Sequence, residues 1–211
     1  MALTLWHCMD ARSFRALWAL EELGLAYELK LLPFPPRALQ KSYLEENPLG
    51  TVPLLVDGEA RMTESAAIPH YLATKYAGGR MTLDPAERDY AAYLNWLVHG
   101  EATLTFPQTI FLRYGALEPE ERRQPTVAND YKRWFLARLR LLEATLGDGR
   151  AYLVGGAFTM ADVCVGYALQ LALEIGLEAE LPPRALAWFR ALETRAGFQA
   201  AKAAQAAAIG S

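Results

Sequence analysis

The sequence predicts two domains, an α/β domain with a mixed sheet followed by an all-α domain. In the first 76 residues, short apolar runs alternate with segments of helical periodicity in the order β-α-β-α-β-β-α. This order favours a mixed sheet with helices packed on its faces. Residues 77–80 form a Gly-containing linker, and the chain after residue 86 is helical in pattern. A length of 211 residues fits two modest domains, which we place at 1–77 and 86–211.

The elements of the α/β domain are predicted from apolar runs and from the residues that separate them. Leu17, Leu20 and Leu23 share one face of the first helix, and Gly24 follows where a helix C-cap is expected. Three prolines within 33–36 exclude regular structure after the second strand. The predicted elements are a strand at 3–6, a helix at 13–23, a strand at 27–32, a short helix at about 38–45, a hairpin with strands at 52–56 and 59–62, and a helix at 63–76.

The elements of the all-α domain are predicted from long segments of helical periodicity. The segment 88–114 is expected to bend near Pro107. The segment 159–177 is apolar on nearly all sides, so we expect it to be the buried central helix. Thr159 and Asp162 form the S/T-x-x-D pattern of a capping box at its start. The other predicted helices lie at 125–146, 184–195 and 196–208.

Composition and charge argue against several classes of function. A net charge of −3 with scattered basic residues disfavours nucleic-acid binding. The apolar stretch 163–173 is too short to span a bilayer, so no membrane association is expected. Cys8 and Cys164 are too few for a disulfide framework, and Met1–Trp6 lacks the pattern of a signal peptide, which together predict a cytoplasmic location. The three histidines are too dispersed to predict a metal site.

The segment Thr51-Val52-Pro53-Leu54 is a candidate peptide-binding turn. An X-Pro bond is the only peptide bond with a modest cis penalty, about 0.5–1 kcal/mol. A cis proline at the start of a strand turns the backbone N–H and C=O of Val52 outward, where they can pair with an extended peptide as with an added strand. The alternative is an ordinary trans proline at the beginning of a strand.

The pair Glu64-Ser65 lies at the predicted junction of the hairpin and the following helix. A helix N-terminus presents N–H groups and a positive dipole end, which favour a bound carboxylate. Ser65 is therefore a candidate to receive an α-carboxylate, and Glu64 is a candidate to receive an α-amino group. The alternative is a simple N-cap, which serine often supplies.

Together these motifs resemble the glutathione transferase family. The resemblance rests on 47–55 (NPLGTVPLL) followed by 64–68 (ESAAI), and it extends to 13–15 (SFR) with 20–25 (LEELGL) and to 155–162 (GGAFTMAD). It spans essentially the whole chain, including the order of the domains. It implies a thioredoxin-like N-terminal domain and an all-α helical-bundle C-terminal domain.

The resemblance also implies roles for particular residues in holding glutathione as co-substrate. Val52 would pair with the cysteinyl backbone beside a cis Pro53, and Glu64 with Ser65 would hold the γ-glutamyl end. A guanidinium suits a carboxylate because it can bind bidentately. The candidates to bind the glycyl carboxylate are Arg37, Gln40 and Lys41. The alternative for each of them is an ordinary solvated residue of a loop.

The stretch after the first strand departs from the family pattern at the position that activates the thiol. The family uses a Tyr or Ser hydroxyl there, or a Cys, and no Tyr is present in 7–14. The candidates are Ser13 and Cys8. Ser13 has the helix N-cap as its alternative role, and Cys8 is either a thiol that forms a mixed disulfide with glutathione or a buried small apolar residue. Asp10 would oppose a thiolate there, and Arg12 or Arg37 would supply positive charge.

The leading functional hypothesis is a transferase that adds the glutathione thiolate to a small apolar electrophile in the cleft between the domains. One alternative is a glutathione-dependent thiol reductase or isomerase, which Cys8 motivates. Another is a non-catalytic protein that binds glutathione or apolar ligands, which the missing activator motivates. The resemblance further implies a homodimer.

Overall fold

The computed structural model of the chain describes residues 3–208, so residues 1–2 and 209–211 of the two predicted domains lie outside the described residues. The chain divides into two units: residues up to Thr82 group with those from Glu193 onward, and Leu83–Leu192 form the second. The predicted second domain, 86–211, differs from this grouping at its C-terminal end. Within 3–208, no helix combines the length and the apolar composition that a membrane span requires.

The first unit contains a four-stranded mixed sheet, as the sequence predicts, with the spatial order β2-β1-β3-β4. Its strands are β1 (Leu3–His7), β2 (Tyr27–Leu31), β3 (Leu54–Asp57) and β4 (Ala60–Met62). β1 runs parallel to β2 and antiparallel to β3, where Trp6 lies opposite Leu54. Because β3 begins at Leu54 rather than at residue 52, Val52 and Pro53 belong to the turn that precedes the strand.

The first four helices pack in the first unit and differ from the prediction at two places. They are α1 (Phe14–Leu23), α2 (Pro36–Leu39), α3 (Tyr43–Glu46) and α4 (Ala67–Tyr76). The helix predicted at 38–45 is two single turns, since Gln40 leaves helical geometry with φ −140° and ψ 77°. α4 begins at Ala67 rather than at residue 63, so Glu64 and Ser65 lie in the turn before it.

A buried carboxylate ties α4 to the β3–β4 hairpin. Oδ2 of Asp57 accepts hydrogen bonds from Lys75 Nζ at 2.7 Å, from the Tyr76 hydroxyl at 2.6 Å and from the Tyr71 hydroxyl at 2.7 Å. Burial opposes ionisation of Asp57, but these hydrogen bonds prevail and lower its pKa to about 2.

The second unit is helical, as predicted, but its first long segment is interrupted. Its helices are α5 (Tyr90–Val98), α6 (Phe106–Leu112), α7 (Pro125–Thr145), α8 (Met160–Glu174) and α9 (Pro183–Glu193). The segment predicted as one helix at 88–114 contains a π-helical stretch, His99–Thr105, just before Pro107. Within that stretch Gly100 lies against α8, where an added Cβ would come 2.5 Å from the carbonyl oxygen of Cys164. This close approach requires glycine.

α8 is the buried central helix, which confirms the prediction from its apolar pattern. Every residue of Met160–Ala172 is buried. At its start, Asp162 Oδ2 accepts from Thr159 N at 2.7 Å and from Thr159 Oγ1 at 3.0 Å, and Oδ1 accepts from Leu153 N at 2.9 Å. The predicted capping box is therefore present. Burial raises the pKa of the Asp162 carboxyl to about 6 although these donors oppose the shift.

The last helix, α10 (Ala196–Ala207), packs on α1 and completes the first unit. The Phe198 ring meets the Trp18 ring edge-on, with centroids 5.0 Å apart and planes at 88°. Just before α10, Arg195 donates to both carboxylate oxygens of Glu22 at 2.8 Å each. These contacts explain why the end of the chain groups with the α/β unit rather than with the helical one.

Candidate functional site

The turn that leads into Val52 is fixed by side chains of α3 and of the turn itself. The carbonyl oxygen of Thr51 accepts from the Tyr43 hydroxyl and from Asn47 Nδ2, each at 2.8 Å. Asn47 Oδ1 in turn accepts from Leu49 N at 3.1 Å. Because one carbonyl is held by two donors, the peptide before Val52 has a defined orientation.

The same turn packs closely against α2. Gly50 has φ +60°, and a Cβ there would come 2.6 Å from the Cβ of Arg37. This contact brings α2 beside the turn. Arg37 and Lys41 are exposed and Gln40 is half-buried, and none of their side chains bonds another residue of the described part of the chain. Their polar ends can therefore bind a ligand without first breaking an internal contact.

The Val52–Pro53 peptide bond is cis, which confirms the prediction from the sequence. Phe34–Pro35 is also cis, which was not predicted. The side chains of Val52 and Pro53 are buried, whereas the backbone N–H and C=O of Val52 form no hydrogen bond with any residue in 3–208. A donor and an acceptor on one residue next to a strand can pair with an extended peptide.

In the turn before α4, Glu64 is exposed to solvent and Ser65 is buried. Glu64 is exposed, and its carbonyl accepts from the N–H groups of Ala67 and Ile68 at 3.1 Å each. Ser65 is 5 % exposed, and its Oγ accepts from Arg15 Nη1 at 2.8 Å. A guanidinium donating to a hydroxyl oxygen polarises the O–H group and strengthens its donation to an anion.

Arg15 is a functional candidate that reading the sequence did not identify. It is fully buried on α1, and the structure joins it to a residue 50 positions later. The available signal was one positive charge inside the apolar stretch 14–20 (FRALWAL). Since a buried charge requires a polar partner, that charge indicated a partner within the first unit.

The surroundings of Cys8 favour the alternative of a buried small apolar residue. Cys8 is fully buried in a cluster with Leu32, Tyr43, Val52 and Leu54, and its thiol donates to a backbone carbonyl. Burial raises the pKa of Cys8 to about 12, so the thiol is neutral at pH 7. A neutral, enclosed thiol does not suit the nucleophilic role considered from the sequence.

The Ser13 hydroxyl is also buried, and it bonds within the turn between β1 and α1. Ser13 Oγ lies 2.8 Å from Nδ1 of His7 and accepts from Cys8 N at 3.3 Å. It makes no capping hydrogen bond to α1, although it occupies the N-cap position. Burial lowers the pKa of His7 to about 4, so its ring is neutral at pH 7.

The negative charge of Asp10 is balanced by α10, a contact that reading the sequence did not predict. Asp10 Oδ1 accepts from Lys202 Nζ at 2.9 Å and from Gln205 Nε2 at 2.7 Å. Burial opposes ionisation, but these two bonds lower the pKa of Asp10. The repulsion of a thiolate expected from this carboxylate is correspondingly reduced. No cluster of three or more His, Cys, Asp or Glu suited to a metal ion occurs among residues 3–208.

The first unit is an α/β unit with a cis-proline turn before β3, and comparison with known proteins gives the class of the chain. The model of the glutathione S-transferase N-terminal domain matches residues 1–74, and that of the C-terminal domain matches residues 132–191. Glutathione S-transferase 3 of Zea mays is 30 % identical over 206 residues, which cover 90 % of this chain and 88 % of that protein. Glutathione S-transferase GstB of Escherichia coli strain K12 is 30 % identical over 200 residues, covering 92 % of this chain and 94 % of that protein.

A solved structure agrees with this assignment. The glutathione transferase URE2P6 of Phanerochaete chrysosporium, crystallised with oxidized glutathione, is 27 % identical and has a TM-score of 0.82, with 97 % of this chain and 96 % of that chain covered. This chain belongs to the glutathione S-transferase family, which confirms the resemblance seen in the sequence.

Proposed function

We propose that this protein binds glutathione in its first unit and conjugates the glutathione thiolate to a small apolar electrophile. The observation that carries the proposal is Val52, whose backbone N–H and C=O have no partner in 3–208 and stand beside a cis proline. The cysteinyl residue of glutathione has one N–H and one C=O and would satisfy both. Residues 47–51 hold this turn in place before any ligand binds.

Charged and polar residues that precede and follow Val52 in the sequence suit the two ends of glutathione. After Val52, Ser65 with the buried Arg15 would take the γ-glutamyl carboxylate, and the exposed Glu64 would take its amino group. Before Val52, Arg37, Gln40 and Lys41 would take the glycyl carboxylate.

The reacting sulfur would lie next to the turn between β1 and α1. Cys8 of that turn packs in the same cluster as Val52, so the turn is adjacent to the place where the cysteinyl residue would be held. The N-terminal end of α1 favours negative charge. The thiol proton would leave to solvent, and the thiolate would form the new S–C bond as the electrophile releases its leaving group.

A second candidate function is a glutathione-binding protein without transferase activity. It is favoured by the hydrogen bond between Ser13 and His7, which engages the one hydroxyl of the β1–α1 turn. The reductase alternative is weaker, since the thiol of Cys8 is buried and neutral.

Titration of the bound thiol separates these functions. Binding of glutathione is measured by calorimetry, and the thiol pKa in the complex by thiolate absorbance, followed by conjugation assays with 1-chloro-2,4-dinitrobenzene. We expect binding, a thiol pKa at least one unit below that of free glutathione, and conjugation. Binding with an unshifted thiol pKa and no conjugation would select the non-catalytic function, and absence of binding would refute both.

We also propose that the enzyme is a cytoplasmic homodimer. Family membership supports a dimer, and the two buried, reduced cysteines are compatible with the cytoplasm. Light scattering of the purified protein should give twice the mass of the chain, and a monomer mass would contradict the proposal.

A further inference from the structure

A chain of buried polar contacts connects α10 to the turn between β1 and α1. Lys202 and Gln205 of α10 both donate to Asp10 Oδ1, at 2.9 Å and 2.7 Å. Gln205 Oε1 lies 3.3 Å from Asp10 N and 3.0 Å from His7 Nε2. His7 Nδ1 then lies 2.8 Å from Ser13 Oγ. His7, Ser13 and Gln205 are 0 %, 0 % and 1 % exposed, so water does not compete for the two bonds that join them, whereas the bonds to Asp10 are partly buried.

The chemistry of the groups fixes the direction of each bond. An ionised carboxylate only accepts, so the Gln205 amide must turn its NH₂ group toward Asp10 and its oxygen toward Asp10 N and His7 Nε2. The amide oxygen only accepts, so Nε2 of His7 carries the ring hydrogen. The neutral ring then has a bare Nδ1, so Ser13 donates its single hydroxyl hydrogen to Nδ1 at 2.8 Å rather than to the carbonyl oxygen of Cys8 at 3.4 Å.

The backbone at Asp10 shows that these contacts hold an unfavourable conformation. Asp10 has φ +50°, in the left-handed region that residues with a Cβ adopt at a cost in energy. Such a conformation persists when surrounding contacts determine it, and it concentrates at functional sites. Here the determining contacts come from Lys202 and Gln205 of α10.

We propose that Gln205 and His7 are positioning residues of the glutathione site. Gln205 sets the tautomer of His7, and His7 accepts a hydrogen bond from the Ser13 hydroxyl. This hydrogen bond fixes the turn between β1 and α1 beside the reacting sulfur. This inference rests on the proposed function. It assigns Ser13 to holding the turn rather than to donating a hydrogen bond to the thiolate. It also makes α10, about 190 positions away in sequence, part of the site.

The tautomer of His7 is measured first, in the wild-type protein with ¹⁵N-labelled histidine, by NMR. We expect a neutral ring protonated at Nε2 that does not titrate between pH 5 and 8. The charged group that acts on it is Asp10 from the turn, which is itself paired with Lys202 from α10. The His7→Asn variant assigns the signal. A ring protonated at Nδ1, or one that titrates within that range, would overturn the inference.

The function of the network is tested with Gln205→Glu and a matched control, Gln199→Glu. Gln199 is on the same helix but is exposed, and its amide donates to the Glu193 carbonyl at 2.7 Å. In Gln205→Glu a carboxylate replaces the donor to Asp10 and favours a protonated His7, whose Nδ1–H then donates to Ser13. The direction of that hydrogen bond is reversed while the side chain keeps nearly the same size.

We expect the dissociation constant of glutathione to rise about tenfold in Gln205→Glu, which corresponds to about 1.4 kcal/mol, and to stay within twofold in Gln199→Glu. In Gln205→Glu alone, the dissociation constant should also follow the new titration of His7 between pH 5 and 8. A merely structural role would lower the melting temperature without this pH dependence. A folded Gln205→Glu variant with unchanged affinity and pH profile would refute the positioning role.

Two further measurements complete the test of the positioning role. If Gln205→Glu does not fold, the test uses Lys202→Met, which removes the ion pair to Asp10 at a partly exposed position. We expect the dissociation constant of glutathione to rise about threefold in this variant. An unchanged dissociation constant would refute the inference. If the wild type binds no glutathione, the proposed function and the positioning role both fall. Binding by the wild type together with unaffected variants refutes the positioning role alone.

Discussion

Removing the Ser65 hydroxyl tests the γ-glutamyl end of the proposed site. Ser65→Ala deletes an oxygen that accepts from Arg15 Nη1 at 2.8 Å and that would donate to the ligand carboxylate. A hydrogen bond to a charged group contributes about 1.5–3 kcal/mol, so the dissociation constant of glutathione should rise by roughly 10- to 150-fold. Because the variant also removes one hydrogen-bond acceptor of a wholly buried guanidinium, the free energy of unfolding should fall by about 1–3 kcal/mol.

Calorimetry with two ligands assigns this loss to the γ-glutamyl end. Cysteinylglycine lacks the γ-glutamyl group, so Ser65→Ala should leave its affinity within about twofold of the wild type while the affinity for glutathione falls. The control is Ser42→Ala, since Ser42 is exposed and makes no capping hydrogen bond to α3. A folded Ser65→Ala variant with unchanged glutathione affinity, or an equal loss for both ligands, would show that Ser65 does not hold the γ-glutamyl carboxylate.

Three other predictions concern the remaining parts of the molecule. Arg37→Ala and Lys41→Ala should each weaken glutathione binding about two- to fivefold, as for exposed ion pairs, and should leave binding of γ-glutamylcysteine unchanged; equal losses for both ligands would contradict the assignment. Asp162→Ala leaves two buried backbone N–H groups without an acceptor and should lower the free energy of unfolding by about 2–5 kcal/mol in urea titrations, whereas a loss below about 1 kcal/mol would argue against the capping box. The lowered pKa of Asp57 means that its ionised form stabilises the fold above pH 4, so the wild type should lose about 1–2 kcal/mol between about pH 4 and pH 2, a loss that Asp57→Asn should not show.

The parts of the fold that follow local patterns could be predicted from the sequence. The apolar run before the Asp57-Gly58 turn indicates a strand, and apolar residues on nearly all sides of 160–172 indicate a buried helix. The Val52-Pro53 turn could also be predicted, because proline limits the backbone and the flanking motif is specific. An irregularity near Pro107 was expected from the sequence, but the π-helical stretch His99–Thr105 was not, since the close approach of Gly100 to Cys164 depends on a partner helix and not on periodicity.

The contacts that build the candidate site across the chain had no local signal. Lys202 and Gln205 lie in an Ala-rich helix whose sequence gives no indication of a partner, yet they bind Asp10 near the start of the chain. Arg15 likewise contacts Ser65, 50 positions later in the sequence, through the fold of the first unit. Cys8 was considered as a nucleophile because the sequence shows that a thiol is present at this position. The reactivity of that thiol depends on its burial, which only the fold determines.

The contact between α10 and α1 has a consequence for the biosynthesis of the protein. The first unit cannot be completed when the ribosome has made residue 82, because Phe198 and Arg195 have still to be added. At about 5–20 residues per second, synthesis of Leu83–Leu192 delays completion by roughly 5–20 s. During this interval the face of Trp18 that Phe198 later covers stays open on the nascent chain. The unit that carries the candidate site is therefore begun before the helical unit and completed only after it.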